Sequence, residues 1–95
     1  MTDKIYAKNP DFVAREVADE FILVPIRKNL KSSDSLYVLN STGATFWRSL
    51  DGRQSLSQVT RNMLDQFDVS RDLLEKDLKV LLEDLLTIEA ISEVR

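Results

Sequence analysis

Cysteine and histidine are absent from this 95-residue chain. Their absence removes disulfides, thiolate nucleophiles, imidazole bases and the usual zinc or haem ligands. Glycine and proline occur only twice each, so the chain is not a flexible or low-complexity polymer. No stretch approaches the ~18 consecutive apolar residues that read as a membrane-spanning helix. The opening residues, MTDKIYAKNPDF, have no apolar segment of a secretory signal. The expected setting is therefore cytoplasmic and off the membrane. Positive charge is also in deficit. Lys and Arg number 13 against 16 Asp and Glu, a formal charge of −3, whereas nucleic-acid binders usually show a basic stripe.

What remains is enough for one core. Hydrophobic residues make up 43% of the sequence, and the length fits a single domain over residues 1–95. Residues 1–11 are polar and aperiodic and read as a loose N-terminal tail. Residues 12–18 (FVAREVA) alternate, and residues 20–26 (EFILVPI) form a stronger strand, so the pair predicts a hairpin. Pro25 cannot donate to a ladder and belongs at a strand end or an unpaired position. Residues 36–39 (LYVL) predict a third strand, at the edge of an antiparallel meander. Between them lies a basic loop. Its Arg27, Lys28 and Lys31 are either a solvated loop tip or an attractive patch for an acidic segment of a partner.

The stretch LNSTGATFWRSLDG (residues 39–52) is the hinge between this sheet and a helical bundle, and its Phe46, Trp47 and Leu50 are core candidates. A helix is expected over 41–50, capped by Asn40 or Ser41, with Gly52 suited to a left-handed position after its end. Ser55 and Gln58 spell a capping box for a second helix, whose inner face is Leu56, Val59, Met63 and Phe67. Ser70 caps a third helix, with Asp72 in its first turn. Its main stripe is Leu74, Leu78, Leu81, Leu85 and Ile88. Leu73, Asp77, Val80 and Asp84 fall on one flank of that stripe, and Leu82 and Leu86 on the other. The flanks make either a broad core face or one wall of an open groove. Residues 91–94 add a short extended tail.

Catalytic constellations are missing. Gly43 and Gly52 are isolated, so no phosphate-cradling loop is present, and no serine has a histidine to activate it. Carboxylates such as Glu75, Asp77, Glu83 and Asp84 read as a solvated helix surface rather than an acid/base pair or metal site. The expectation is a non-enzyme without cofactor or metal. Three strands and three helices can form a winged helix, whose DNA-binding use is one reading. The third helix is acidic, however, and phosphates would repel it. The other reading uses the edge strand, whose unpaired backbone groups can accept an extended peptide as a further strand.

The run from Leu36 to Leu86 resembles the PqqD family, also called RiPP precursor peptide recognition elements. The resemblance rests on Leu39-Asn40, Gly43-Ala44, Trp47, Leu50, Asp51-Gly52, Ser55, Val59, Phe67-Asp68, Asp77 and the leucines between 81 and 85, in that order. The chain departs where many members carry a Gly-Leu-Ile turn after the last helix; here it reads Thr87-Ile88-Glu89-Ala90-Ile91. It also has Ser32-Ser33-Asp34-Ser35 where the pyrroloquinoline quinone protein often has Pro-Glu-Gly. The resemblance implies an α+β, winged helix-turn-helix-like fold, a three-stranded antiparallel sheet followed by three helices. It implies a chaperone, monomeric or homodimeric, that grips the leader of a ribosomally made precursor peptide and presents it to a modifying enzyme, commonly a radical S-adenosylmethionine enzyme. By position, Leu36, Tyr37, Val38 and Leu39 match the pairing strand, and Leu73, Asp77, Val80 and Asp84 the helix flank beside the peptide.

Overall fold

The computed structural model describes residues 3–26 and 37–94. Phe12–Val17 (β2) and Glu20–Pro25 (β3) form the expected hairpin, and Tyr37–Leu39 (β4) pairs with the far side of β3. The hairpin closes through a two-residue turn in which Ala18 takes φ 55°. Pro25 ends its strand, as its missing N–H requires. Phe12 and Leu23 are buried from this sheet, as is Leu39. Leu36, Arg27, Lys28 and Lys31 lie outside the described residues.

Ser41–Ser49 (α1) starts where Asn40 Oδ1 accepts the Gly43 N–H at 2.8 Å, satisfying one of the free donors of the first turn. It buries Phe46 and Trp47. Leu56–Gln66 (α2) carries the reciprocal Ser55–Gln58 capping box and buries Leu56, Val59, Thr60 and Met63. Arg71–Thr87 (α3) is capped by Ser70 and packs against α1 and α2. One cluster of buried side chains runs from Tyr6 through Phe46 to Ile91 and joins sheet and helices.

A second sheet was not expected. Ile5–Lys8 (β1), Asp51–Ser55 (β5) and Ile91–Val94 (β6) form an antiparallel sheet ordered β5-β1-β6. The residues read as a loose N-terminal tail therefore include this sheet's central strand, with Tyr6 buried and Ile5 paired to both Ser55 and Val94. The cause is pairing with segments far along the chain, which a four-residue IYAK cannot announce by pattern. The position of Gly52 also differs from expectation. Helix α1 stops at an extended Leu50, and Gly52, at φ 77°, turns the start of β5 instead. There Asp51 Oδ1 accepts the Arg53 and Gln54 N–H groups, each at 2.9 Å. Those two donors hold the Asp51 carboxyl below its usual range.

The end of α3 explains the departure at residues 87–91. Ala90 N–H donates to Leu85 C=O at 2.9 Å and Glu89 N–H to Leu86 C=O at 3.1 Å. That pair is a Schellman closure, with Glu89 at φ 66° in the position glycine usually fills. Asn9 fastens the same turn, donating from its backbone to Ala90 C=O and from Nδ2 to Glu89 C=O. A left-handed conformation costs a non-glycine residue roughly 1–2 kcal/mol, partly offset in a Gly variant by the freer unfolded chain. Glu89→Gly is therefore expected to stabilise the protein by about 0.5–1 kcal/mol. A rise in Tm of a few degrees would show it, and a fall would contradict the account.

Candidate functional site

β4 is an edge. It pairs with β3 alone among the described residues. The direction of its backbone groups follows from the ladder. Ile26 N–H donates to Asp11 C=O, and in an antiparallel pair hydrogen-bonded positions alternate. Val24 and Ile22 therefore point toward β2, and Phe21 and Leu23 toward β4. Phe21 pairs with Leu39 and Leu23 with Tyr37, so Tyr37 and Leu39 spend their backbone groups on β3. Val38 does not; its N–H and C=O face outward on the open rim. Side chains alternate the opposite way. Leu39 is buried and Tyr37 half-buried, while Val38 is 55% exposed on the other face.

α3 forms the facing wall. Its buried residues are Leu74, Leu78, Leu82 and Leu85. The expected stripe is corrected at three positions: Leu82 is buried, whereas Leu81 and Ile88 are only half-buried. The core arc is rotated away from the open side of the helix. That leaves the flank of Leu73, Asp77, Val80 and Asp84 uncovered, with Leu73 52% and Val80 57% exposed. Between this wall and β4 lies a groove of about 390 Å³, lined by Tyr37, Val38, Leu39, Asn40, Thr42, Gly43, Asp77, Leu78, Val80 and Leu81. Gly43 keeps the N-terminal turn of α1 close to the strand, since a Cβ there would stand 3.1 Å from Leu39 Cδ2.

One hydrogen bond ties the two walls. The Tyr37 hydroxyl donates to Asp84 Oδ2 at 2.9 Å. Burial, then that bond and the carboxylate's charge, push the phenol up to about 12. A raised phenol favours folding while it is protonated. Its contribution is fully present below its ordinary value of about 10 and disappears as pH climbs from there through the shifted value. Tyr37→Phe is thus expected to be less stable than the parent at neutral pH, with the gap closing in strong alkali. Urea midpoints across that range would reveal it, and a constant gap would exclude the linkage.

Of the residues named from the sequence, the structure gathers Tyr37, Val38, Leu39, Asp77 and Val80 around the groove. Asp84 joins through Tyr37, and Leu73 continues the exposed flank one turn before Asp77. Asn40, Thr42, Gly43, Leu78 and Leu81 line the groove without having been singled out for it. The capping signal at Asn40 placed α1 correctly, but nothing in the sequence said that its first turn floors a cleft. Among the described residues no group of three or more carboxylates is placed to hold a metal, and no helix is long and apolar enough to cross a membrane.

Two three-stranded antiparallel sheets, three helices and a groove between an edge strand and the last helix define a winged-helix-like α+β domain. The chain belongs to the PqqD family, whose description is Coenzyme PQQ synthesis protein D and whose family model matches residues 20–91. Two solved structures share the fold. One is TbiB1 in complex with the TbiA(beta) leader peptide, with TM-score 0.71 and 19% identity over 90% of this chain and 94% of that one. The other is lasso peptide synthetase B1 complexed with the leader peptide, with TM-score 0.69 and 20% identity over the same shares. No curated protein matches the chain.

Proposed function

We propose that this protein recognises the leader of a ribosomally made precursor peptide. The leader adds as a strand to β4 and lies against α3. The observation that carries this reading is the N–H and C=O of Val38, unpaired among the described residues at the mouth of the groove, because a backbone rim beside an apolar wall is the geometry of strand addition. Family membership and two similar chains, each described with a leader peptide, support it. In this role the protein is non-catalytic. It holds the leader so that a separate modifying enzyme, such as a radical S-adenosylmethionine enzyme, meets the rest of the precursor.

Calorimetric titration of the folded protein with the precursor encoded beside its gene tests the reading. Saturable heat is expected, with the Val38 amide resonance shifting as the peptide is added. Absence of both in a folded sample would sink it. DNA recognition is disfavoured by α3, whose exposed positions include Asp72, Asp77, Glu83 and Asp84. A mobility-shift assay at low salt is expected to show no retarded band.

A further inference from the structure

We infer that Asp77 makes the groove selective for a strand carrying a lysine or arginine two residues from an apolar side chain. This rests on the strand-addition reading and specifies what kind of segment is accepted. A residue paired with Val38 points its side chain away from α3, with Val38's own. The residues on either side of it point inward, with Tyr37 and Leu39. Two inward side chains, two positions apart, therefore meet the wall of α3.

The Tyr37–Asp84 bond fixes which part of the wall each one meets. From Asp84 back to Asp77 the helix covers about 10 Å, at ~1.5 Å per residue. From Tyr37 to Asn40 the chain covers a similar length, at ~3.3 Å per residue. The groove is lined by both stretches, so β4 and α3 run in opposite directions along it. Tyr37 reaches Asp84, and the next turn of α3 toward Asp77 presents Val80 and Leu81 to the groove, which suits an apolar side chain. Leu39 and Asn40 lie at the level of Asp77. There the remaining lining is Thr42, the backbone of Gly43 and Leu78, and Leu78 is 0% exposed and offers little surface to reward a second hydrophobic residue.

Asp77 is the one charged side chain in the described lining of the groove. It has no hydrogen bond or ion pair among the described residues, whereas Asp84 already receives the Tyr37 hydroxyl. An aspartate or glutamate brought to the Asp77 level would face like charge, and a neutral residue would leave the carboxylate to water. A lysine or arginine lays its stem along the wall and places its charge on the carboxylate. The net charge of −3 acts in the same direction on approach.

The test is a selection of random peptides displayed on yeast, against the folded full chain and its Asp77→Lys variant. Because Asp77 is exposed, the variant is expected to keep its circular dichroism spectrum. The parent is expected to enrich Lys and Arg two positions from an apolar residue by about fivefold, in keeping with a solvent-accessible ion pair. The enrichment should shrink at high salt, and the variant should enrich Asp and Glu at that position instead. Alternating apolar binders that shift the Val38 amide, with no charge preference or the same preference in both proteins, would overturn the role of Asp77 and leave strand addition standing. No enrichment at all, or binders that leave the Val38 amide unmoved, would overturn both.

Discussion

Phe46→Ala is expected to unfold a large part of the protein at 37 °C. Phe46 is fully buried on α1, within the one cluster that joins the β2-β3-β4 sheet, the second sheet and the helices. Truncating a buried phenylalanine typically costs roughly 3–5 kcal/mol, from lost transfer energy plus the cavity left behind. A domain's whole stability is about 5–15 kcal/mol, and a small domain sits near the lower end. For a chain of this size each kcal/mol moves Tm by about 4–8 °C, so the transition should fall by tens of degrees. Thermal denaturation followed by circular dichroism measures it. Leu73→Ala is the control. Leu73 is 52% exposed on the groove flank, and its removal should change stability by no more than about 0.5 kcal/mol. A Phe46→Ala protein melting within a few degrees of the parent would mean that this cluster is not where the stability resides.

The contrast between Phe46 and Leu73 also marks what the sequence made legible. Elements whose signal is local were readable. The alternation of FVAREV and EFILVP, the Ser55–Gln58 box and the caps at Asn40 and Ser70 all act within a few residues. They placed β2, β3, β4 and the three helices. The second sheet had no such signal. DGRQS has no apolar alternation at all; it is extended because Asp51 and Gly52 turn it into place and β1 pairs with it. That pairing joins residues some fifty positions apart, as in Ile5 with Ser55. The same division holds at the groove. The rim at residues 37–39 was readable as an edge, because a meander leaves its last strand open. The bond between Tyr37 and Asp84 crosses 47 positions and was not. Helical periodicity gave both flanks of α3, but not which flank the core would claim. The core claimed Leu82, and the packing of α1 and α2 on that helix, a tertiary fact, decided it.

Val38→Pro is expected to lower peptide affinity about tenfold to a hundredfold while leaving the fold intact. Proline fixes φ near −65°, which an edge strand accepts, and restricts the preceding residue to extended backbone, which Tyr37 already has. The N–H it removes points at the open rim, so no bond to β3 is lost. The incoming strand loses its donor and meets the proline ring in its place. Losing that hydrogen bond and leaving the peptide's carbonyl without a donor costs about 1–3 kcal/mol in all. Each 1.4 kcal/mol or so is a factor of ten in Kd. Leu39→Pro supplies the opposite case. Leu39 pairs with Phe21 and points its N–H at β3, so proline there should destabilise the sheet itself and lower Tm. If Val38→Pro binds the precursor as tightly as the parent, the leader does not pair at Val38. If Val38→Pro unfolds while Leu39→Pro does not, the alternation along β4 is reversed and the rim offers Tyr37 and Leu39 instead. Calorimetry and melting curves on the two variants distinguish these outcomes, because the same substitution one residue apart strikes either the bound chain or the protein's own sheet.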